Sequence, residues 1–220
     1  MSKVKILLVE DHVVMRQGLK ALFTREADLE VVGEASNGRE ALALTRDLQP
    51  DVVLTDISMP YLNGIETTRQ IQRDYPWVKV LILSMHLSED YIFQALQAGA
   101  VGYILKQCDS TELVNAVRAA HRGDFFFSAS ISRIVRRNCL HRDKIRRLDN
   151  NRTDTLTTRE REVLQPLAEG LPNRDIAKLL GISVKTVERH RSNMMHKLGV
   201  TNKTELIRYA LKKGLTTLEG

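Results

Sequence analysis

Cysteine is scarce: Cys108 and Cys139 are the only two in 220 residues. Neither stands at a metal-ligand or redox spacing, so free thiols in a reducing compartment are expected. Long apolar runs are missing too. None approaches the roughly 20 residues that a membrane span needs, and Met1 to Glu10 enters a strand-like pattern instead of a signal peptide. No membrane partner and a cytoplasmic address follow as expectations. With 43% apolar and 27% charged residues, disordered and fibrous classes are excluded, while one large domain and two small ones both stay open.

Charge is divided unevenly along the chain. Residues 1 to 127 hold 13 Lys and Arg against 17 Asp and Glu, and residues 128 to 220 hold 20 against 10. An acidic half followed by a basic half predicts two domains with different partners, the second a polyanion binder.

The first half alternates between β-branched runs and segments with helical spacing. Val4 to Val9, Leu29 to Glu34, Val52 to Thr55, Val78 to Ser84 and Val101 to Leu105 read as strands, separated by helices such as Met15 to Thr24 and Ile65 to Gln72. Several strands are apolar at nearly every position, as in a sheet covered on both faces. The expected fold is therefore α/β, a five-stranded doubly wound parallel sheet, with functional groups at the carboxyl ends of its strands. Ser128 to Asn138 has helical spacing. His141 to Asp154 has charge, Asn and Thr but no apolar period, and reads as a linker. From Leu156 onward all segments are helical, with Gly170, Gly181, Gly199 and Gly214 at the stops. The resulting division is 1–127, a linker helix and flexible linker over 128–154, and an all-α domain over 155–220.

The predicted strand ends gather Glu10 and Asp11 after the first strand, Asp56 after the third, Ser84 at the end of the fourth and Lys106 after the fifth. Carboxylates crowded together either raise a pKa or hold a divalent cation, with Mg²⁺ as the natural choice. One carboxylate then serves as a nucleophile toward a phosphoryl group. Each residue alone has a bland reading as a cap, a loop charge or a small strand-end residue. Their convergence does not.

Glu10-Asp11, the stretch Asp51 to Pro60, Asn63-Gly64, Ser84, Gly102-Tyr103 and Lys106 resemble the response-regulator receiver family over about residues 3 to 122. The resemblance implies that Asp56 is the phosphoacceptor and that Asp11, Asp56 and the main-chain carbonyl of Ser58 hold Mg²⁺, Glu10 assisting through water. It implies further that Lys106 clamps a phosphate oxygen. Ser84 and Tyr103 would form a switch pair, the hydroxyl moving to the phosphate and the ring turning inward behind it. The chain departs from the family pattern at Gln107, where many receivers have proline, and at Met85, which is bulkier than the usual alanine or glycine. His86 beside it bears on phosphate lifetime.

In the basic half, Asn173 to Arg191 reads as two helices joined by a tight Gly181-Ile182 turn, a helix-turn-helix with Ser183 as N-cap. Ile176, Ala177, Leu180 and Ile182 face inward, and Val184, Val187, Met194 and Leu198 form the buried stripe of the second helix. Lys185, Thr186, Glu188, Arg189 and Ser192 then face outward on the half that enters a major groove. Pro166 is expected to kink or shorten the first helix. Leu156 to Leu215 resembles the LuxR-type DNA-binding domain, which makes Ser183 to Leu198 the recognition helix, adds Lys203 to the DNA contacts and implies dimerisation through Lys203 to Lys213.

Together these resemblances point to a NarL/FixJ-type response regulator. A sensor histidine kinase would phosphorylate Asp56, and the chain would bind double-stranded DNA as a homodimer. Such a protein is not an enzyme beyond the gain and loss of its own phosphate. One rival is a Mg²⁺-dependent aspartyl-phosphate hydrolase similar to the haloacid-dehalogenase-like phosphatases, but Ser58 occupies the place of their second aspartate. The other rival is a docking scaffold that is never phosphorylated.

Overall fold

The structure, a computed structural model, describes residues 2–139 and 156–216. The flexible part of the expected linker lies outside these residues.

In the first unit, strands β1 (Val4–Val9), β2 (Leu29–Ala35), β3 (Val52–Thr55), β4 (Lys79–Ser84) and β5 (Gly102–Leu105) alternate with helices α1 (Val13–Thr24), α2 (Gly38–Leu48), α3 (Gly64–Asp74), α4 (Glu89–Gln97) and α5 (Ser110–Arg122). All strand pairs are parallel, in the order β2-β1-β3-β4-β5-β6. The sheet therefore has six strands instead of five. The sixth, β6 (Phe126–Phe127), pairs with Gly102 and Tyr103. Two residues are too short to show an alternation, which is why the pattern missed it.

The period of 2 along each strand sorts side chains to two faces. Ile6, Leu8, Val52, Leu54, Leu81, Leu83 and Ile104 pack with Leu19 and Phe23 of α1 and Leu113 and Val117 of α5. Leu7, Val9, Val53, Val80, Ile82 and Tyr103 pack on the opposite face with Ala41 of α2, Ile65 and Ile71 of α3, and Ile92 and Ala95 of α4. Each fully buried aliphatic side chain contributes roughly 1.5–3 kcal/mol, so both apolar layers are needed to hold the sheet. Helix α6 (Ala129–Cys139) follows β6, and its Ile131 is wholly buried in the second layer with Ile134 and Val135 against it. The first part of the expected linker thus packs as part of this core.

Polar caps fix where the helices start. Asn37 accepts from the Arg39 and Glu40 N–H groups, Asn63 from Glu66 N–H and Asp109 from Glu112 N–H, each cap being worth about 1 kcal/mol.

In the second unit, among the described residues after the linker, the elements are all helical: α7 (Thr158–Ala168), α8 (Asn173–Leu180), α9 (Val184–Leu198) and α10 (Lys203–Lys212). Its core joins Val163, Leu164, Leu167, Ile176, Leu180, Val187, Met194 and Leu206. Pro166 does not cut α7 short at its own position, because the helix runs on to Ala168 with the proline buried inside it. The Pro166 carbonyl instead accepts from Leu171 N–H as the chain leaves the helix. Gly181 and Gly199 end α8 and α9 in the left-handed region, at φ +63° and +64°, where only glycine sits without strain.

Candidate functional site

Strand register brings the acidic residues together. Val9 pairs with Thr55 across β1 and β3, so Glu10 and Asp56 are the next residues on neighbouring strands. Asp56 N–H donates to the Val9 carbonyl at 2.9 Å, and Glu10 N–H donates to the Ala35 carbonyl at 3.0 Å. Likewise Ser84 pairs with Leu105, and Lys106 N–H donates to the Ser84 carbonyl at 2.9 Å. The parallel sheet thus aligns all four expected strand ends on one edge.

Lys106 crosses between the two buried carboxylates. Its ammonium lies 2.8 Å from Glu10 Oε2 and 2.9 Å from Asp56 Oδ2. Asp56 Oδ1 accepts the Ile57 N–H at 2.7 Å. Burial pushes the Asp56 carboxyl above its ordinary value; Lys106 offsets part of this, and Glu10 adds to it. For Lys106 itself burial favours the neutral amine, but Asp56 and Glu10 outweigh it and hold the ammonium above the usual lysine range.

Asp11 and His12 complete the cluster. Glu10, Asp11, His12 and Asp56 each bring a ligand atom within 4.8 Å of the others. Asp11 Oδ1 is buried and makes no hydrogen bond of good geometry among the described residues, although His12 Nδ1 stands 3.0 Å away. An orphaned carboxylate oxygen beside two further carboxylates is a donor set suited to a hard divalent cation, so these residues fit Mg²⁺. Sequence reading missed His12, whose imidazole is also 3.0 Å from Glu10 Oε1. The hydrogen bond to Glu10 and the charge of Asp11 raise its pKa. Its position directly after the acidic pair was the available signal.

The loop after Asp56 closes tightly. A Cβ on Gly64 would stand 1.9 Å from the Asp56 carbonyl oxygen, so this approach requires glycine. Ser58, two residues beyond Asp56, is half-buried, and its hydroxyl lies 3.1 Å from His86 Nε2.

His86 bonds both residues of the expected switch pair through its backbone. Its N–H donates to the Ser84 hydroxyl at 3.1 Å, and its carbonyl accepts from the Tyr103 hydroxyl at 2.7 Å. Its ring lies against Tyr91, the centroids 5.0 Å apart. The Tyr103 ring is wholly buried, the inward position that the resemblance ties to the phosphorylated form. Burial pushes its phenol up to about 12, so it stays a hydrogen-bond donor. Met85 is exposed.

In the helical unit, Ser183 caps α9 by accepting the Thr186 N–H at 3.1 Å. Lys185, Glu188, Arg189, Ser192 and Lys203 are exposed. Thr186 is half-buried instead, its hydroxyl 2.8 Å from that of Ser183. Val184 is 40% exposed and so departs from the expected buried stripe. As the first residue of α9 it lies one turn short of Val187, which the core covers. Burial first, then Arg189 and Arg159, hold the nearby His190 below its ordinary pKa, against the opposing pull of Glu160 and Glu162. Glu160, also unremarked in the sequence, is buried at the start of α7. It closes a capping box with Thr157 and pairs with Lys197 of α9 at 2.8 Å.

Residues 6–118 match the response regulator receiver domain family, and residues 154–210 match the luxR family of bacterial regulatory proteins. The response regulator protein VraR of Staphylococcus aureus is 35% identical over 212 residues, spanning 96% of this chain and 98% of VraR. Among solved structures, a LuxR-family two-component response regulator from an Aurantimonas species is similar with a TM-score of 0.60 and 35% identity, over 63% of this chain and 99% of that one. The response regulator RcsB in its DNA complex is similar with a TM-score of 0.58 and 28% identity, over 94% of this chain and 98% of that one. No helix among the described residues is long and apolar enough to cross a membrane. At such identity across nearly the whole of both chains, this protein belongs to the LuxR family of response regulators and is a phosphorylation-dependent regulator of transcription.

Proposed function

We propose that Asp56 accepts a phosphoryl group from a phosphohistidine of a sensor histidine kinase, and that this switches DNA binding by the C-terminal domain. The observation that carries the reading is the lysine bridge between Glu10 and Asp56. It puts a nucleophilic carboxylate, a cation for the incoming oxygens and a second carboxylate in one buried corner. The Asp56 carboxylate attacks phosphorus, the P–N bond breaks, and its electron pair returns to the imidazole nitrogen. Lys106 then exchanges its carboxylate partner for a phosphoryl oxygen. Asp11, Asp56 and the main-chain carbonyl of Ser58 would hold Mg²⁺, with Glu10 assisting through water, and the ion when bound supplies neutralising charge for the transferring oxygens.

As the Ser84 hydroxyl moves to face the phosphate, it draws away from the His86 N–H that now bonds it. That shifts the β4–α4 loop while Tyr103 keeps its donor on the His86 carbonyl. Phosphate favours the active state only through such differential contacts. The chemistry is confined to Asp56 gaining and losing phosphate, without turnover of an outside substrate.

The working division is a receiver over 1–127, a linker over 128–154 whose first helix, α6, is docked on the receiver core, and a DNA-binding domain over 155–220. The N-terminal half of α9 enters the major groove with Lys185, Thr186, Glu188, Arg189 and Ser192, and Lys203 adds a contact from α10. RcsB has been solved as dimers bound to DNA, which supports a phosphorylated homodimer on a roughly palindromic site here. Such a regulator works where the DNA is, in the cytoplasm.

The test is labelling of wild type and Asp56→Asn with a small phosphodonor, followed by DNA titration of both forms over a range of salt. Labelling that depends on Asp56 and tightens DNA binding is expected. Equal labelling of both proteins would overturn the assignment.

A further inference from the structure

Arg16, in the first turns of α1, reaches back to the loop that carries the acidic pair. Its Nη1 donates to the Glu10 carbonyl at 2.5 Å, and its Nε lies 3.5 Å from Glu34 Oε2 on β2. Glu34 is held in turn by Lys20, 2.6 Å from Oε1. With the Arg16 side chain only 18% exposed, both contacts are partly shielded from water, where charge-assisted bonds keep more of their strength.

The Glu10 backbone is thereby pinned on both sides, its N–H to the Ala35 carbonyl and its carbonyl to the guanidinium. That carbonyl belongs to the peptide plane leading into Asp11. Rotation about the Glu10 Cα–C bond would carry Asp11 and its carboxylate away from Glu10 and Asp56. Among the described residues Arg16 bonds the Glu10 carbonyl, not a carboxylate of the cluster, so it acts on the site through the backbone.

We propose that Arg16 is a positioning residue for the divalent-cation site, holding the Glu10–Asp11 peptide so that its carboxylates converge with Asp56. The inference rests on the reading of this cluster as a Mg²⁺ site. Position and charge make opposite demands here. Removing a cation beside a Mg²⁺ site would by charge alone tighten binding, whereas loss of the backbone anchor loosens it. Arg16→Lys keeps the charge but cannot reproduce the planar fork that reaches a carbonyl and a carboxylate together.

The experiment is calorimetric titration of the full, unphosphorylated chain with MgCl₂ for wild type, Arg16→Lys, Arg16→Met, Lys20→Met and Asp11→Asn, with thermal midpoints recorded in metal-free buffer. Both Arg16 variants are expected to bind Mg²⁺ about tenfold more weakly, the usual scale for loss of an outer contact. Lys20→Met, which loosens Glu34 without touching Glu10, binds no more weakly than wild type. Arg16→Lys stays folded and so gives a reading even if Arg16→Met does not. Saturable wild-type binding that Arg16→Lys matches or exceeds would overturn the positioning role alone. No saturable binding by wild type, or equal binding by Asp11→Asn, would overturn the Mg²⁺ reading and the inference with it.

Discussion

Lys106 Nζ lies 2.9 Å from Asp56 Oδ2, fifty residues away in the chain, because β5 and β3 flank β4 in one parallel sheet. The ammonium already stands where a phosphoryl oxygen on Asp56 would need a cation. Lys106→Met keeps much of the aliphatic stem and removes the charge. Labelling of Asp56 by a small phosphodonor is expected to fall about ten- to a hundredfold, since a charge-assisted contact contributes ~1.5–3 kcal/mol. Phosphate-affinity electrophoresis over time reads the rate, and a wild-type rate would remove Lys106 from the reaction.

Asp56 should burden the fold when ionised. Its pKa in the folded chain lies above the ordinary value of 3.8, chiefly through burial, so the folded state binds this proton more tightly than the unfolded state. The cost grows as pH rises from the unfolded value through the folded one, and is fully present at neutral pH. Asp56→Asn removes it, while Lys106 keeps Glu10 as a partner. In metal-free buffer at neutral pH the variant is expected to melt a few degrees higher, about 1 kcal/mol for a chain of this size. The gap closes toward pH 4 and narrows with Mg²⁺, which stabilises wild type by binding. A variant that melts lower at neutral pH would contradict the sign.

Glu160 gives the opposite pH dependence. Burial works to raise its pKa, but the bonds from Lys197 and Thr157 outweigh burial and hold it below the ordinary value. Its stabilisation is therefore present above the unfolded pKa and lost as pH falls through the folded one. Glu160→Gln keeps the capping box but loses the ion pair, and Glu160→Ala loses both. Expected losses are about 1 kcal/mol for the first and about 2–3 kcal/mol for the second, read by urea unfolding of the helical unit.

Ile131 separates a docked α6 from a solvated linker helix. The side chain is wholly buried among Ile92, Ala95 and Tyr103 of the same layer. Ile131→Ala should cost the first unit about 2–5 kcal/mol. A change under about 0.5 kcal/mol, typical of surface positions, would show that α6 does not belong to this core.

Glu188 is exposed on α9. A carboxylate there is able to accept from a cytosine amino group but would repel phosphate. Selection of binding sites from a random DNA pool is expected to yield a different preferred base for Glu188→Lys, with overall affinity raised at low salt. An unaltered selected sequence would show that this position does not read bases.

Features with a local cause were legible in the chain. The strand ends at Val9, Thr55, Ser84 and Leu105 agree with the structure because apolar runs of strand length, bounded by polar and turn residues, need no knowledge of their neighbours. Gly181 and Gly199 likewise marked helix ends through their own backbone freedom. Contacts that join distant segments were not legible. His86 gathers Ser84, Tyr103, Tyr91 and Ser58, and nothing in its local sequence announces that. Thr186 and Val184 differ from their helical-wheel positions because the N-cap and the start of α9 follow end effects and not the period of 3.6 residues.

The sequence by itself thus determined the two-part architecture, the chemistry gathered on the sheet edge and the family, since periodicity, charge and residue type at strand ends are local properties. Only the tertiary structure decided that a two-residue strand and α6 extend the first core, that Lys106 bridges Glu10 and Asp56, and that Arg16 grips the Glu10 carbonyl. Those outcomes depend on register across a parallel sheet and on side chains many residues apart filling one volume, and no single stretch of sequence encodes either.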